Sequence, residues 1–226
     1  MQPPVGRNGL LWSDWMKGSW NEKNGSMQAE NTNPGKNLLS AGGIVQYYGP
    51  VLQQAKASAY FQALLHGIAW KNDEAVIFGK HYITKRKAAW YGNEGYAYSY
   101  SNTTKQALAW TPELVELKKL VEEKSGASYN ACLLNLYHNG GEGMAWHSDD
   151  EKSLFPGAPI ASLSLGAERR FSLRHRQTGE TLSVMLEHGS LLVMKGDTQT
   201  NWLHSLPKAL KVKDPRINLT FRTMKE

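Results

Sequence analysis

An α+β fold, with a double-sheet jelly roll buttressed on one face by helices, is predicted by three features of this 226-residue chain. Two amphipathic helical patterns occupy its first 126 residues. Beyond Gly126 the periodicity changes to short β-type runs punctuated by Gly or Pro. An apolar fraction of 41% supplies enough material for one large core, so wholesale disorder is excluded. Helices followed by short antiparallel strands are the ingredients of a two-layer sandwich.

Residues 1–36 are rich in Gly, Asn, Gln and Ser, and read as a mobile or loosely docked tail. Residues 37–226 form the folded domain, with a jelly-roll core at about 130–224. The first helix is expected from Pro50 to His66, with Leu52, Ala55, Ala59 and Ala63 on its inner face and Gly67 as its stop. In the second, Thr111 is the N-cap, Pro112 the first helical residue, Leu114, Leu117 and Val121 the apolar face, and Gly126 the terminator. Strands are expected at Ala131–Tyr137, Pro159–Leu165, Arg169–His175, Leu182–Glu187, Ser190–Lys195 and Arg216–Arg222. Gly166-Ala167 and His188-Gly189 read as hairpin turns.

No apolar stretch is long enough to span a bilayer, and no signal sequence is visible in the first thirty residues. One cysteine, Cys132, rules out an internal disulfide framework and a Cys-based zinc cluster. An intracellular protein, cytoplasmic or nuclear, is expected, monomeric and without a membrane partner. The formal charge of +6 favours a polyanionic partner.

Chemistry first shows at His147-Ser148-Asp149. In an extended segment, residues two apart share a face, so an imidazole and a carboxylate reach one ion. The pattern is weak alone, and His204 is the expected third ligand from a distant strand. Two imidazoles and one carboxylate leave open positions on a metal, the donor set suited to non-haem Fe(II) and O2 chemistry. The other five histidines lack such context and read as surface or structural. Downstream, Arg216, Asn218, Thr220 and Arg222 alternate with Ile217, Leu219 and Phe221. As an isolated strand this would carry solvated arginines. Beside a facial triad, two guanidiniums and an amide in a row suit a small dicarboxylate, which is what a 2-oxoglutarate-dependent oxygenase requires.

Asn135-Leu136-Tyr137, His147-Ser148-Asp149-Asp150-Glu151, Ser162–Gly166, His188–Leu192, His204–Pro207 and Arg216–Arg222 together resemble the AlkB family. The resemblance covers about residues 70–224. It implies a double-stranded β-helix core, Fe(II) with 2-oxoglutarate as cosubstrate, and oxidative dealkylation of N-alkylated bases such as 1-methyladenine and 3-methylcytosine in DNA, including duplex DNA. Decarboxylation of 2-oxoglutarate would be coupled to methyl hydroxylation and formaldehyde release. It also implies His147, Asp149 and His204 as iron ligands, and Asn135, Tyr137, Arg216, Asn218 and Arg222 as 2-oxoglutarate contacts. The alternatives are an RNA demethylase or an oxygenase directed at protein or lipid. Nucleic acid is the expected partner, DNA before RNA.

The stretch from Val76 to Trp110 is strand-like, and Phe78–Tyr100 holds seven aromatics amid Lys and Arg. Cations for phosphates and rings for bases make a nucleic-acid surface. It resembles the family's nucleotide-recognition lid, about 76–105, with Lys85-Arg86-Lys87 as a basic turn. Lys85 stands where duplex-repairing members carry proline. Tyr98, Tyr100, Ser101 and Glu151 are the expected substrate-base contacts, since a carboxylate favours a cationic methylated base. Phe78, Gly79, Lys80, Arg86, Lys87 and Arg174 are expected at DNA, with Phe78 as a wedge on a short hairpin. Arg169, Arg170, Arg174 and Arg176 form a second basic group.

Overall fold

The computed structural model describes residues 20–21, 26–28, 34–77, 80–93, 97–100 and 103–225. In chain order the elements are β1 (Trp20–Asn21), β2 (Ser26–Gln28), β3 (Ile44–Pro50), α1 (Gln54–Gly67), β4 (Lys71–Ile77), β5 (Lys80–Gly92), β6 (Ala97–Tyr100), β7 (Thr103–Gln106) and α2 (Pro112–Ser125). The core strands follow: β8 (Ala131–Tyr137), β9 (Met144–His147), β10 (Ile160–Gly166), β11 (Arg169–His175), β12 (Thr181–Leu186), β13 (Ser190–Lys195), the short α3 (Thr198–Asn201), β14 (Trp202–Leu206) and β15 (Arg216–Arg222).

A seven-stranded sheet, ordered β3-β13-β10-β15-β8-β5-β4, faces a six-stranded sheet, ordered β1-β2-β12-β11-β14-β9. This is the expected α+β jelly roll. From β8 onward the chain alternates between the layers, staying in one sheet only at the β11–β12 hairpin. Gly166-Ala167 and His188-Gly189 are therefore not hairpin turns but crossings from one sheet to the other. Both crossings need glycine. Gly166 (φ +88°) and Gly189 (φ +78°) are left-handed, and a Cβ on Gly166 would meet the Pro215 carbonyl at 2.4 Å. Near the N-terminus, β2 pairs in parallel with the edge of β12 through Met27 and Leu182, so that part of the tail extends the sheet.

Helix α2 forms as its sequence dictates. The Thr111 side chain accepts from the Leu114 N–H, Pro112 opens the helix, and Gly126 closes it at φ +68°. Helix α1 turns a different face inward from the one expected. Ala57, Tyr60, Phe61 and Leu64 are buried, whereas Ala55, Ala59 and Ala63 are exposed. Both stripes have helical spacing; the one with two aromatic rings and a leucine removes more apolar area from water and wins. The Tyr60 hydroxyl donates to Glu116, tying α1 to α2.

The helices pack on the outer face of the seven-stranded sheet, against Leu134, Leu163, Leu165, Ile217, Leu219 and Phe221. The space between the sheets is divided. One half is apolar, built from Val45, Phe171, Leu173, Val184, Leu192 and Trp202. The other half, under β8, β9, β14 and β15, is lined by polar side chains, and this half is the site.

Candidate metal and cosubstrate site

Strand register assembles the metal ligands. His204 on β14 is the cross-strand partner of His147 on β9, and the pairing shifts register before Leu206 meets Met144. The chain leaves β9 at His147 and carries Asp149 back between the rings, where its backbone N–H donates to Gln199 Oε1 at 2.9 Å. The Asp149 Oδ1 lies 3.8 Å from His147 Nε2 and 3.9 Å from His204 Nε2. One ligand atom from each of the three residues lies within 4.8 Å of the others.

The protonation states suit a metal. His147 Nδ1 lies 2.8 Å from the Ala145 carbonyl, which accepts its proton and leaves Nε2 as a lone-pair donor. Burial pushes His204 down to about 4, outweighing the attraction of Asp149, so its imidazole is neutral at physiological pH. Burial alone would raise the Asp149 carboxyl, but Arg222 and the two imidazoles hold it below its ordinary value. Arg222 reaches Asp149 Oδ2 at 2.8 Å and Glu151 Oε1 at 3.5 Å. Two imidazoles and one carboxylate, with one side open to a cavity, are a donor set for Fe(II).

That cavity, of about 70 Å³, is lined by Asn135, Tyr137, Arg216, Asn218 and Arg222 together with all three metal ligands. Pairing of β15 with β8 sets Tyr137 opposite Arg216 and Asn135 opposite Asn218. All seven residues of β15 are buried, so its arginines are not solvated. Arg216 donates to Ser164 Oγ at 2.9 Å and Asn218 Oδ1 at 2.7 Å, while its Nε has no hydrogen-bond partner. Burial pushes this guanidinium down to about 10. A buried cation with a donor to spare and, among the described residues, no carboxylate paired with it fits an anionic ligand.

Other expected site residues fall in different surroundings. Phe78, Gly79 and Ser101 lie outside the described residues. The strands flanking 78–79 pair antiparallel, with Ile77 opposite Lys80. Tyr98 and Tyr100 lie on β6, paired with β7 through Lys105 and Thr103. Glu151 sits beside Arg222 and, with the exposed Asp150, borders an open groove of about 790 Å³ that leads past Asp149.

The basic cluster needs correction. Lys85-Arg86-Lys87 lies within β5 rather than on a turn. Lys85 is exposed and Lys87 half-buried, but Arg86 is buried and pairs with Asp73. The Arg86 charge is thus already paired inside the protein rather than displayed at the surface. Arg169 is likewise removed from the second basic group: at 1% exposure it donates to the carbonyls of Asn139, Glu142 and Pro207. Arg174 stays at the surface, 4.6 Å above the ring of Trp146, beside His147.

Sequence reasoning missed Ser162, Ser164, Gln199 and Asp73. The two serines had a signal, since Ser162-Leu163-Ser164-Leu165 alternates in step with β15, and Ser162 donates to Asn218 at 2.9 Å. Gln199 and Asp73 had none.

A facial triad joined to an arginine-lined pocket inside a jelly roll defines an Fe(II)/2-oxoglutarate-dependent dioxygenase. Residues 44–222 match the 2OG-Fe(II) oxygenase superfamily. The chain is 36% identical over 209 residues to mouse "DNA oxidative demethylase ALKBH2", covering 88% of this chain and 87% of that protein. It is 40% identical over 178 residues to bovine "Alpha-ketoglutarate-dependent dioxygenase alkB homolog 3", covering 75% of this chain but 62% of that protein's length. The solved structure of OsALKBH1 superposes with a TM-score of 0.57 at 16% identity, over 83% of this chain and 99% of that one, a likeness of fold. This chain belongs to the AlkB family of 2-oxoglutarate/Fe(II) oxygenases. Among the described residues no helix is long and apolar enough to cross a membrane.

Proposed function

We propose that this protein removes alkyl groups oxidatively from N-alkylated bases in DNA. The observation that carries the reading is the His147–Asp149–His204 triad, with Asp149 and His204 buried, opening onto the Arg216 pocket; relatives at 36–40% identity named as a DNA oxidative demethylase and an alkB homolog support it. An intracellular, monomeric enzyme with DNA favoured over RNA fits that reading.

Bound Fe(II) would supply activation of O2, with 2-oxoglutarate losing CO2, one oxygen atom going to the succinate that remains and the other into a C–H bond of the N-methyl group. The hydroxymethyl product loses formaldehyde and leaves the base with its original N–H or lone pair. Arg216 would hold the distal carboxylate of 2-oxoglutarate, presenting Nε and Nη beside Asn218 and Tyr137, while Arg222 and Asn135 face the metal-proximal end. Arg222 would also fix the rotation of the Asp149 carboxylate. Closure of these groups inside the sandwich excludes water and sets the reactants in line. The target base must leave the helix stack to reach the triad, entering past the exposed edge of His147. Tyr98, Tyr100 and Ser101 would line its pocket, and Glu151 would favour a cationic lesion. Phe78, Gly79, Lys80 and Lys87 on the lid and Arg174 over Trp146 would hold the strand.

The test is mass spectrometry of methylated oligonucleotides, single- and double-stranded, DNA and RNA, incubated with protein, Fe(II) and 2-oxoglutarate. Methyl loss from DNA, absent in His204→Ala, is the expected result. Succinate formation without methyl loss from any oligonucleotide would overturn it.

A further inference from the structure

Arg86 is buried, and stability is a poor reason for it, because removing an arginine from water costs several kcal/mol that a single carboxylate partner barely repays. Its position follows from register. Lys87 pairs with Leu136, which sets Arg86 beside Tyr137 on the inner face of the sheet, in line with Ala88 opposite Asn135. The pairing of β4 with β5 shifts between Asn72 and Glu74, so Asp73 alone faces the stretch from Thr84 to Arg86. At this irregularity the Arg86 Nη2 donates to Asp73, and both side chains are nearly closed to solvent, at 10% and 13% exposure. The other end of the guanidinium faces the site. Nη1 lies 3.1 Å from the sulfur of Met144, and the group sits 5.7 Å over the Tyr137 ring. Arg216 approaches the same ring at 5.5 Å and Arg169 at 5.9 Å. Tyr137 is thus caged by three guanidiniums, and of these only Arg86 is tied to the hairpin that leads into the lid.

We infer that Arg86 is a positioning residue: anchored by Asp73 on β4, it holds Tyr137 against Arg216, so that seating of the β4–β5 hairpin and binding of the dicarboxylate are coupled. The inference rests on the reading that the Arg216 pocket takes 2-oxoglutarate. The Tyr137 side chain is held by a hydrogen bond with Arg86 and by the cations on its face. If the hairpin moves outward, Asp73 draws Arg86 with it, and the ring loses the support that keeps its hydroxyl in the pocket.

Isothermal titration of the Mn(II)-loaded protein with 2-oxoglutarate tests this. Arg216→Met should abolish measurable binding, Arg86→Met should weaken it about tenfold, a typical coupling between linked sites, and Arg86→Lys should fall between Arg86→Met and the wild type. Asp73→Asn, a mild change at the protein edge, should weaken binding about threefold, and it decides the matter if Arg86→Met does not fold. Hydrogen exchange gives a second readout. Binding of 2-oxoglutarate should slow exchange along residues 71–77 in the wild type and leave it unchanged in Arg86→Met. Should Arg216→Met lose binding while Arg86→Met and Asp73→Asn keep wild-type affinity, the coupling is refuted and the cosubstrate reading stands. Wild-type affinity in all of them, Arg216→Met included, refutes both. Loss of oligonucleotide affinity in Arg86→Met with 2-oxoglutarate affinity intact would make Arg86 a phosphate contact and overturn the inference.

Discussion

Strands β11 and β15 carry nearly the same sequence pattern and use it in opposite ways. Both are seven residues long, begin with arginine and alternate polar with apolar positions. In β15 the polar set, Arg216, Asn218, Thr220 and Arg222, points between the sheets, and Ile217, Leu219 and Phe221 point out. In β11 Phe171 and Leu173 point in, while Arg170 is exposed and Arg174 half-exposed. The difference lies in what covers each sheet. Helices α1 and α2 lie over the outer face of β15, so its apolar side chains are buried outward and its polar ones are left to face the interior. No helix lies over β11 among the described residues, so its only dry side is the interior. Alternation defines two faces; the neighbouring layer decides which is which. Arg169 is the exception on β11, a cation turned inward and satisfied by three carbonyls.

This contrast is open to breakage at neighbouring positions. The largest effect is expected at Arg169. Arg169→Met would strand buried carbonyls and cost about 4 kcal/mol, whereas Arg170→Met, one residue along the same strand, should stay within about 0.5 kcal/mol. Denaturant midpoints of the two variants measure this, and equal values would mean the inward and outward faces do not differ as described.

A slightly smaller effect is expected on acidification of the metal-free protein. His204 has a folded value of about 4 against an ordinary 6.5. Between these values the unfolded chain takes up a proton that the folded one refuses, so stability falls as pH drops from 6.5 to 4, by about 3 kcal/mol in all. Above 6.5 the residue is neutral in both states and contributes no slope. His204→Leu should remove this part of the acid limb in urea unfolding followed at several pH values, and an unchanged limb would show that the ring is not desolvated.

The smallest effect belongs to the outward face. Arg174→Ala should leave the unfolding midpoint in place and lower oligonucleotide affinity several-fold, with the slope of log K against log salt reduced by about 1. A change in stability without a change in salt slope would assign Arg174 to packing on Trp146 rather than to a phosphate.

Much of the molecule was determined by local sequence. Helix α2 followed from Thr111, Pro112 and Gly126, because capping chemistry acts within one turn and needs nothing distant. The metal ligands were legible because the His-Ser-Asp spacing fits one extended face and His204 had few competitors of its type. The alternation of β15 was equally plain. Only the tertiary structure decided the rest. A glycine at a crossing signals a change of direction but not which sheet receives the chain, so Gly166 and Gly189 read as hairpins until the layers were in place. Two helical stripes on α1 competed, and the facing sheet chose the one with the greater apolar area. Arg86 looked like surface charge because its two neighbours are lysines. It is interior because an irregular register against β4 and the pairing with β8 point it at Tyr137, and those are contacts between residues far apart in the chain that no local pattern encodes.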